Sequence, residues 1–118
     1  SLRGRFDNLE ARLRLEEGRP GTALAVARRA VRANRGSGER AEEADSHRLI
    51  GRAALATGDP ESAGEAFESA LVIDRDLARP PKVADDLQGM ADAARAMGDD
   101  NKASAYEERA RLARLAGS

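Results

Sequence analysis

The chain has 118 residues, of which 41% are hydrophobic and 35% are charged, and its formal net charge is −1. This balance is typical of one soluble helical domain and excludes an intrinsically disordered segment. The absence of cysteine excludes disulfides and thiolate metal sites, and no apolar run approaches the roughly 18 residues that a membrane helix needs. Aromatic residues make up only 3%, so the core must consist of aliphatic side chains in close contact.

The predicted elements are helices separated by short breaks. Phe6, Leu9 and Leu13 lie at i, i+3 and i+7, which predicts an amphipathic helix that ends at about residue 17. Further helices are predicted at about residues 20–34, 39–57, 60–74, 81–97 and 100–116. Asp59 is the predicted N-cap of the fourth helix, with Pro60 at its first position. The sequence shows no strand-like alternation and no linker long enough to divide it into domains.

Small residues recur along the chain with a period of 40 residues. The recurring positions are Gly18, Gly58 and Gly98; Ala23, Ala63 and Ala103; Ala30, Ala70 and Ala110; and Ala11, Gly51 and Ala91. Small side chains let the two helices of a hairpin approach closely, and glycine relieves backbone strain at the turn. The period therefore predicts three helical hairpins, which is about the minimum for a stable stacked array.

The middle unit, which begins near residue 37, has the most complete set of small and apolar residues at these repeating positions. It comprises His47, Ile50, Gly51, Ala54, Gly58, Asp59, Ala63, Phe67 and Ala70. This pattern resembles the tetratricopeptide repeat (TPR) family. The third unit matches it at Leu87, Met90, Ala91, Ala94, Gly98, Asp99, Ala103 and Ala110, with Tyr106 displaced by one. The first unit matches at Gly18, Ala23 and Ala30, whereas Glu10 or Arg14 falls at expected apolar positions of its opening helix. The period exceeds the family's usual length of about 34 residues, which implies longer helices.

The resemblance implies an all-α fold, an α-α superhelix of three stacked hairpins formed by six helices. The whole chain, residues 1–118, is then one TPR-like domain, with repeats at about 1–36, 37–77 and 78–118. The resemblance also implies a concave groove lined by the first helix of each hairpin.

Eight side chains are the candidates for binding a partner in this groove. They are Asn8, Arg12, Arg48, Arg52, Leu55, Gln88, Asp92 and Arg95. The spacing i, i+4 and i+7 places Arg48, Arg52 and Leu55 on one helix face. Arginines around a modest apolar patch suit an acidic or carboxylate-ended peptide, although a solvated groove with incidental charges is the alternative. Leu49 and Gly89 stand where chaperone-binding TPR proteins have polar clamp residues, so binding of that kind is not predicted.

The sequence predicts no catalytic residue, no metal site and no cofactor. His47 is the only histidine, and its place in the repeat favours a packed core side chain over a catalytic one. The adjacent acidic residues Asp85 and Asp86, and the run Asp99-Asp100-Asn101, are better explained by their positions near helix starts than as metal ligands. Nucleic-acid binding is not expected, because the arginines at 28–35 have no aromatic stacking partners nearby.

We therefore expect a non-catalytic protein–protein interaction module, whose partner is a peptide or protein and is acidic if the arginines bind it. The alternative is a self-associating scaffold, and thus a homo-oligomer, or a regulatory segment of a larger protein. An uneven charge distribution is compatible with contacts between copies, since residues 1–40 carry +5, residues 41–100 carry −8 and residues 101–118 carry +2. Leu112 and Leu115 would support such contacts if they were exposed.

The expected location is the cytoplasm of a bacterium. The chain starts at Ser1 without a methionine, so a periplasmic or exported location after removal of a signal segment is the alternative.

Overall fold

A computed structural model describes residues 1–117, and within this range it contains six helices and no strand. The helices are α1 (Leu2–Glu16), α2 (Pro20–Gly36), α3 (Arg40–Ala56), α4 (Pro60–Asp76), α5 (Pro80–Ala96) and α6 (Asp100–Ala116). The prediction of an all-α fold with six helices is confirmed. None of these helices combines the length and apolar character needed to cross a membrane.

The helices form three antiparallel hairpins that stack in chain order, and each helix packs against the next one along the chain. The first helices of the hairpins also contact one another, α1 with α3 and α3 with α5, so that these three line one side of the array. We call the contact between the first and second hairpins the first junction, and the contact between the second and third hairpins the second junction.

Every connection between helices is a three-residue turn whose middle residue has a positive φ. These residues are Gly18, Gly38, Gly58, Ala78 and Gly98. At the first turn the amide of Gly18 donates to the carbonyl of Leu15 at 3.0 Å, and the amide of Arg19 donates to Arg14 at 2.8 Å. This closing pattern is a Schellman motif, in which glycine adopts the left-handed conformation without strain. Ala78 adopts the same conformation with a φ of 52°, at a cost of about 1–2 kcal/mol for an L-residue.

Two helices of the chain begin with an aspartate cap. Asp59 accepts a hydrogen bond from the amide of Ser62 at 3.2 Å, which confirms it as the N-cap of α4, and Asp99 accepts one from Lys102 at 3.1 Å. Each cap satisfies one of the amides that have no partner inside the helix, which fixes where the second helix of the hairpin starts.

The core is built mainly from alanine, and its one buried aromatic ring belongs to Phe67 of α4, among the residues that the structure describes. The ring lies between α3 and α5, against two glycines. A Cβ atom on Gly51 would come within 2.7 Å of the ring, and one on Gly89 within 2.4 Å. Both glycines are therefore required by the position of the ring and leave no room for a larger residue.

The amphipathic stripe predicted on α1 faces solvent rather than the core. The buried residues of α1 are Gly4, Asp7, Asn8 and Ala11, on the opposite side of the helix. The stripe of Phe6, Leu9 and Leu13 stays exposed, because α1 is the first helix and no earlier hairpin covers it among the residues described. This arrangement also explains why the first unit fits the repeat pattern poorly.

Candidate functional site

A groove with a volume of about 680 Å³ runs along the side formed by α1, α3 and α5. Its lining residues are Arg12, Asp45, Arg48, Leu49, Arg52, Phe67, Lys82, Asp85, Gln88, Gly89, Asp92 and Arg114. Five of the eight predicted partner-binding residues are therefore brought together here, namely Arg12, Arg48, Arg52, Gln88 and Asp92.

Arg12 and Arg52 occupy equivalent positions of α1 and α3, 40 residues apart. Both are exposed, and neither side chain has a hydrogen bond or an ion pair with any part of the chain that the structure describes. The equivalent residue of α5 is Asp92, which accepts a hydrogen bond from Gln88 at 3.1 Å. The two guanidinium groups without a partner thus lie on α1 and α3, whereas the α5 side carries the carboxylates of Asp85 and Asp92 together with the amine of Lys82.

Arg48 also reaches the groove, but its guanidinium is engaged inside the protein. It donates to Asp74 of α4 at 2.5 Å and to Asp86 of α5 at 2.7 Å, and it also pairs with Asp45. Asp74 and Asp86 are fully buried, and Arg48 itself is only 9% exposed. The expectation that Arg48 is an open binding residue is therefore corrected. We call Arg48, Asp74 and Asp86 the charged trio.

The charged trio joins three helices across the second junction. Burial by itself lowers the pKa of Arg48, but the charges and hydrogen bonds of Asp86 and Asp74 outweigh this effect and raise it, so the guanidinium stays charged. Burial raises the pKa of Asp86 to about 8, and the neighbouring Asp74 adds to the rise while Arg48 opposes it. Oδ1 of Asp74 and Oδ2 of Asp86 have no hydrogen-bond partner among the described residues, so a proton on Asp86 would supply the donor that they lack.

We predict that the raised pKa of Asp86 makes the domain less stable as the pH rises. The unfolded chain releases this proton near its ordinary pKa of 3.8, whereas the folded chain holds it up to about 8. The unfolded state therefore binds fewer protons over that window, and the contribution of Asp86 to the free energy of unfolding falls by up to about 1.4 kcal/mol per pH unit. Asp86→Asn, which resembles the protonated form, should match wild type near pH 5 and exceed it in stability near pH 9.

Urea unfolding at a series of pH values measures this difference. Asp85→Asn is the matched control, because it removes an exposed carboxylate from the adjacent position of α5. A pH-independent difference between Asp86→Asn and wild type, or an equal effect of Asp85→Asn, would show that the buried carboxyl does not titrate in this window.

The first junction has a neutral counterpart of the charged trio. Its members, which we call the neutral trio, are Asn8, Asn34 and Ser46, each 40 residues before the corresponding charged residue. Asn34 donates to the Ser46 hydroxyl at 3.1 Å, and that hydroxyl donates to Oδ1 of Asn8 at 2.6 Å. The predicted groove residue Asn8 is therefore a buried structural residue that lies outside the groove lining.

The other two predicted residues also lie outside the groove lining. Leu55 is partly buried against the core cluster around Phe67. Arg95 pairs with Glu107 of α6 at 2.5 Å and with Asp100 at 3.5 Å. His47 is mostly buried and its Nε2 lies 3.1 Å from Glu43 of the same helix, so it does not contribute to the groove either.

Two basic residues of the groove escaped prediction. Lys82 lies in the first turn of α5, and Arg114 comes from α6, the second helix of its hairpin. Arg114 stands 40 residues after Asp74, and its Nη2 donates to Gln88 at 3.5 Å. The 40-residue correspondence with Asp74 was the available signal, because Asp74 in turn contacts Arg48, the equivalent of Gln88.

No model of a protein family matches the chain, and no curated protein matches it. Among solved structures, it is similar to the crystal structure of the TPR domain of Arabidopsis FLU. The TM-score is 0.90 with 18% sequence identity, and the match covers 99% of this chain and 98% of that chain. The resemblance to tetratricopeptide repeats is thus confirmed for the fold: the chain is an α-α superhelix of three stacked hairpins, built like a TPR domain.

Proposed function

We propose that the chain is a non-catalytic interaction module whose groove binds an acidic segment of a peptide or protein partner. The observation that carries this proposal is the pair Arg12 and Arg52, two exposed guanidinium groups on adjacent first helices without a carboxylate partner. Most of the other arginines already pair with a carboxylate of the same chain, as Arg48 does with Asp74 and Asp86. Unpaired guanidinium groups at the edge of a concave surface suit carboxylates, which accept two parallel hydrogen bonds.

The rest of the groove restricts how such a segment would lie. Leu49 and Phe67 form the floor but are each only 3% exposed, so they offer little apolar surface to a ligand. Asp85 and Asp92 stand on the α5 side, where they repel additional carboxylates. Because Lys82 and Arg114 offset these two carboxylates on the α5 side, the strongest uncompensated positive charge lies at Arg12 and Arg52 on α1 and α3, where an acidic group of the ligand is expected.

The geometry favours binding over catalysis. The groove contains no histidine, and the lining residues include no serine or threonine that a base would activate. No group of three or more His, Asp or Glu side chains among the described residues is arranged to hold a metal ion. These observations support a binding role without a chemical step.

A peptide-array experiment tests the proposal directly. The array would carry random peptides rich in Asp and Glu beside the same peptides with Asn and Gln in their place. We expect wild type to bind the acidic peptides preferentially. The double variant Arg12→Glu/Arg52→Glu should bind the same peptides with an affinity lower by about tenfold or more. Arg28→Glu/Arg32→Glu is the matched control, since it makes the same charge change on the exposed face of α2, outside the groove. Equal losses in both variants, or equal binding of acidic and amide peptides, would contradict the proposal.

A further inference from the structure

The outward face of α1 is a continuous apolar stripe. Its members are Leu2, Phe6, Leu9 and Leu13, which are 69%, 60%, 56% and 47% exposed. Their spacing of four, three and four residues is the a/d spacing of a helix that packs lengthwise against another helix. Residues 1–117 provide nothing that covers this stripe, although large apolar side chains rarely line a helix that faces only water.

The register of the repeat shows what kind of contact this face is suited to. Leu49 of α3 lies 40 positions after Leu9, and Ala93 of α5 lies 80 positions after Leu13. Leu49 packs against Ala11, Val26 and Ala27 of the preceding hairpin, and Ala93 packs against Ala54, Ala63 and Phe67 of its own preceding hairpin. The stripe on α1 thus occupies the positions that the later first helices use to pack against another helix.

The opposite end of the array is not a suitable partner for this stripe. Phe67 and Leu71 are among the residues with which α4 packs against neighbouring helices. The equivalent residues of α6 are Glu107 and Arg111, which are charged. Head-to-tail stacking of copies would bury these charges against Phe6 and Leu9, at a high desolvation cost. A pair formed by two α1 faces avoids this burial and closes with two-fold symmetry.

Charges beside the stripe select the direction of such a pair. Arg5 and Arg12 border one edge of the stripe, and Arg3, Glu10 and Glu17 border the other edge. Within one chain Glu10 and Glu17 pair with Arg14, and Arg5 lies within 3.8 Å of Glu39 and Glu42, so contacts between copies would exchange partners on the surface. In a parallel pair, the first edge of one helix faces the second edge of the other, five residues further along. Arg5 then faces Glu10 of the second copy, and Arg12 faces Glu17 of the second copy. In an antiparallel pair each edge faces itself, so Arg5 would face Arg12, and Glu10 would lie near both Glu10 and Arg3 of the second copy, which leaves fewer contacts between opposite charges.

We infer that two copies of this chain associate through parallel α1 helices, with the apolar stripe at the centre and these ion pairs at its edges. The apolar stripe lies outside the lining of the groove, to which neither Phe6 nor Leu9 belongs. Arg12 borders both surfaces, so the variants that test the association are placed at Leu9, Arg5 and Glu10, which do not line the groove. A failed association would therefore not contradict the proposed peptide binding.

Sedimentation equilibrium from micromolar to near-millimolar concentration tests the apolar centre. Wild type should reach a monomer–dimer equilibrium, and Leu9→Glu should weaken it by about 30-fold or more, as for a central interface residue. Val72→Glu is the matched control, since Val72 is also 56% exposed but lies on α4. A monomeric wild type, or a loss of the dimer with Val72→Glu or Leu112→Glu but not with Leu9→Glu, would overturn the inference.

A charge exchange tests the parallel register. Arg5→Glu places like charges at both Arg5–Glu10 contacts of the pair, and Glu10→Arg does the same with opposite sign. Each variant alone should dimerise about threefold to tenfold more weakly than wild type. An equimolar mixture should restore the dimer, because every contact then joins opposite charges. If the mixture behaves as the sum of its components while both circular dichroism spectra stay helical, the parallel arrangement is excluded.

Discussion

Replacing Arg48 by methionine is expected to lower the free energy of unfolding by about 3–5 kcal/mol, as measured by urea denaturation with circular dichroism. The methionine keeps most of the apolar length of the side chain but removes the cation that, in the part of the chain that the structure describes, alone contacts both Asp74 and Asp86. Both carboxyls are fully buried and lie at the second junction, so they would remain without a donor from α3. Removing one member of a buried ion pair costs far more than the pair contributes.

The first junction provides a compensating variant for this experiment. Arg48→Asn, Asp74→Asn and Asp86→Ser together reproduce the neutral trio at the second junction. Since Asn8, Asn34 and Ser46 are joined by hydrogen bonds in an equivalent position, where only Oδ1 of Asn34 has no partner among the residues described, the triple variant should recover most of the loss, to within about 2 kcal/mol of wild type. A triple variant as unstable as Arg48→Met would show that the two junctions are not interchangeable.

Truncation of Phe67 to alanine is expected to cost a similar amount, about 3–5 kcal/mol, because the ring is the largest apolar side chain of the buried core. The cavity would open between Gly51 and Gly89, whose backbones are held apart by the ring. Addition of a methyl group by Gly89→Ala should also destabilise the domain, by about 1–3 kcal/mol, since its Cβ would lie 2.4 Å from the ring.

The chain again contains its own control. At the first junction the large residue is Leu49 of α3, which packs against Ala11 and Ala27. At the second junction the sizes are reversed, because Phe67 of α4 is large and the equivalent of Leu49 is Gly89 of α5. A variant with Gly51→Ala, Phe67→Ala and Gly89→Leu copies the first arrangement and should recover most of the stability lost in Phe67→Ala. Failure of the triple variant to unfold at a higher urea concentration than Phe67→Ala would contradict this account of the core.

Gly64→Ala, where the new Cβ meets only an ordinary contact at 3.7 Å, should instead stabilise α4 slightly.

The repeat period was sufficient to predict the hairpins, because glycine turns and small residues act locally. The period is in fact two units of 20 residues, each a helix and its turn, which the missing glycine at Ala78 obscured in the sequence. The two helices that begin with aspartate caps follow from the same local rules.

The groove was harder to predict, because burial depends on helices distant in the sequence. Helical spacing placed Arg48 and Arg52 on one face, and they do share a face. Only Arg52 remains open, since Asp74 and Asp86, which are 26 and 38 residues away from Arg48, enclose its guanidinium. For α1 the spacing identified an apolar stripe but not whether the stripe is buried, because that depends on whether another helix packs against it.

The difference between the two junctions has a consequence for how the chain folds. Three similar hairpins risk assembling in the wrong order, a common route to misfolding in repeat proteins. If the third hairpin stacked on the first, Asp86 would be buried beside Asn8 and Asn34 without a cation, and Gly89 would leave a void against Ala27. The same exchange would leave Arg48 and Asp74 of the second hairpin without Asp86 and in contact with solvent. The charged second junction and the neutral first junction therefore make the wrong stacking order of the hairpins less stable than the native order.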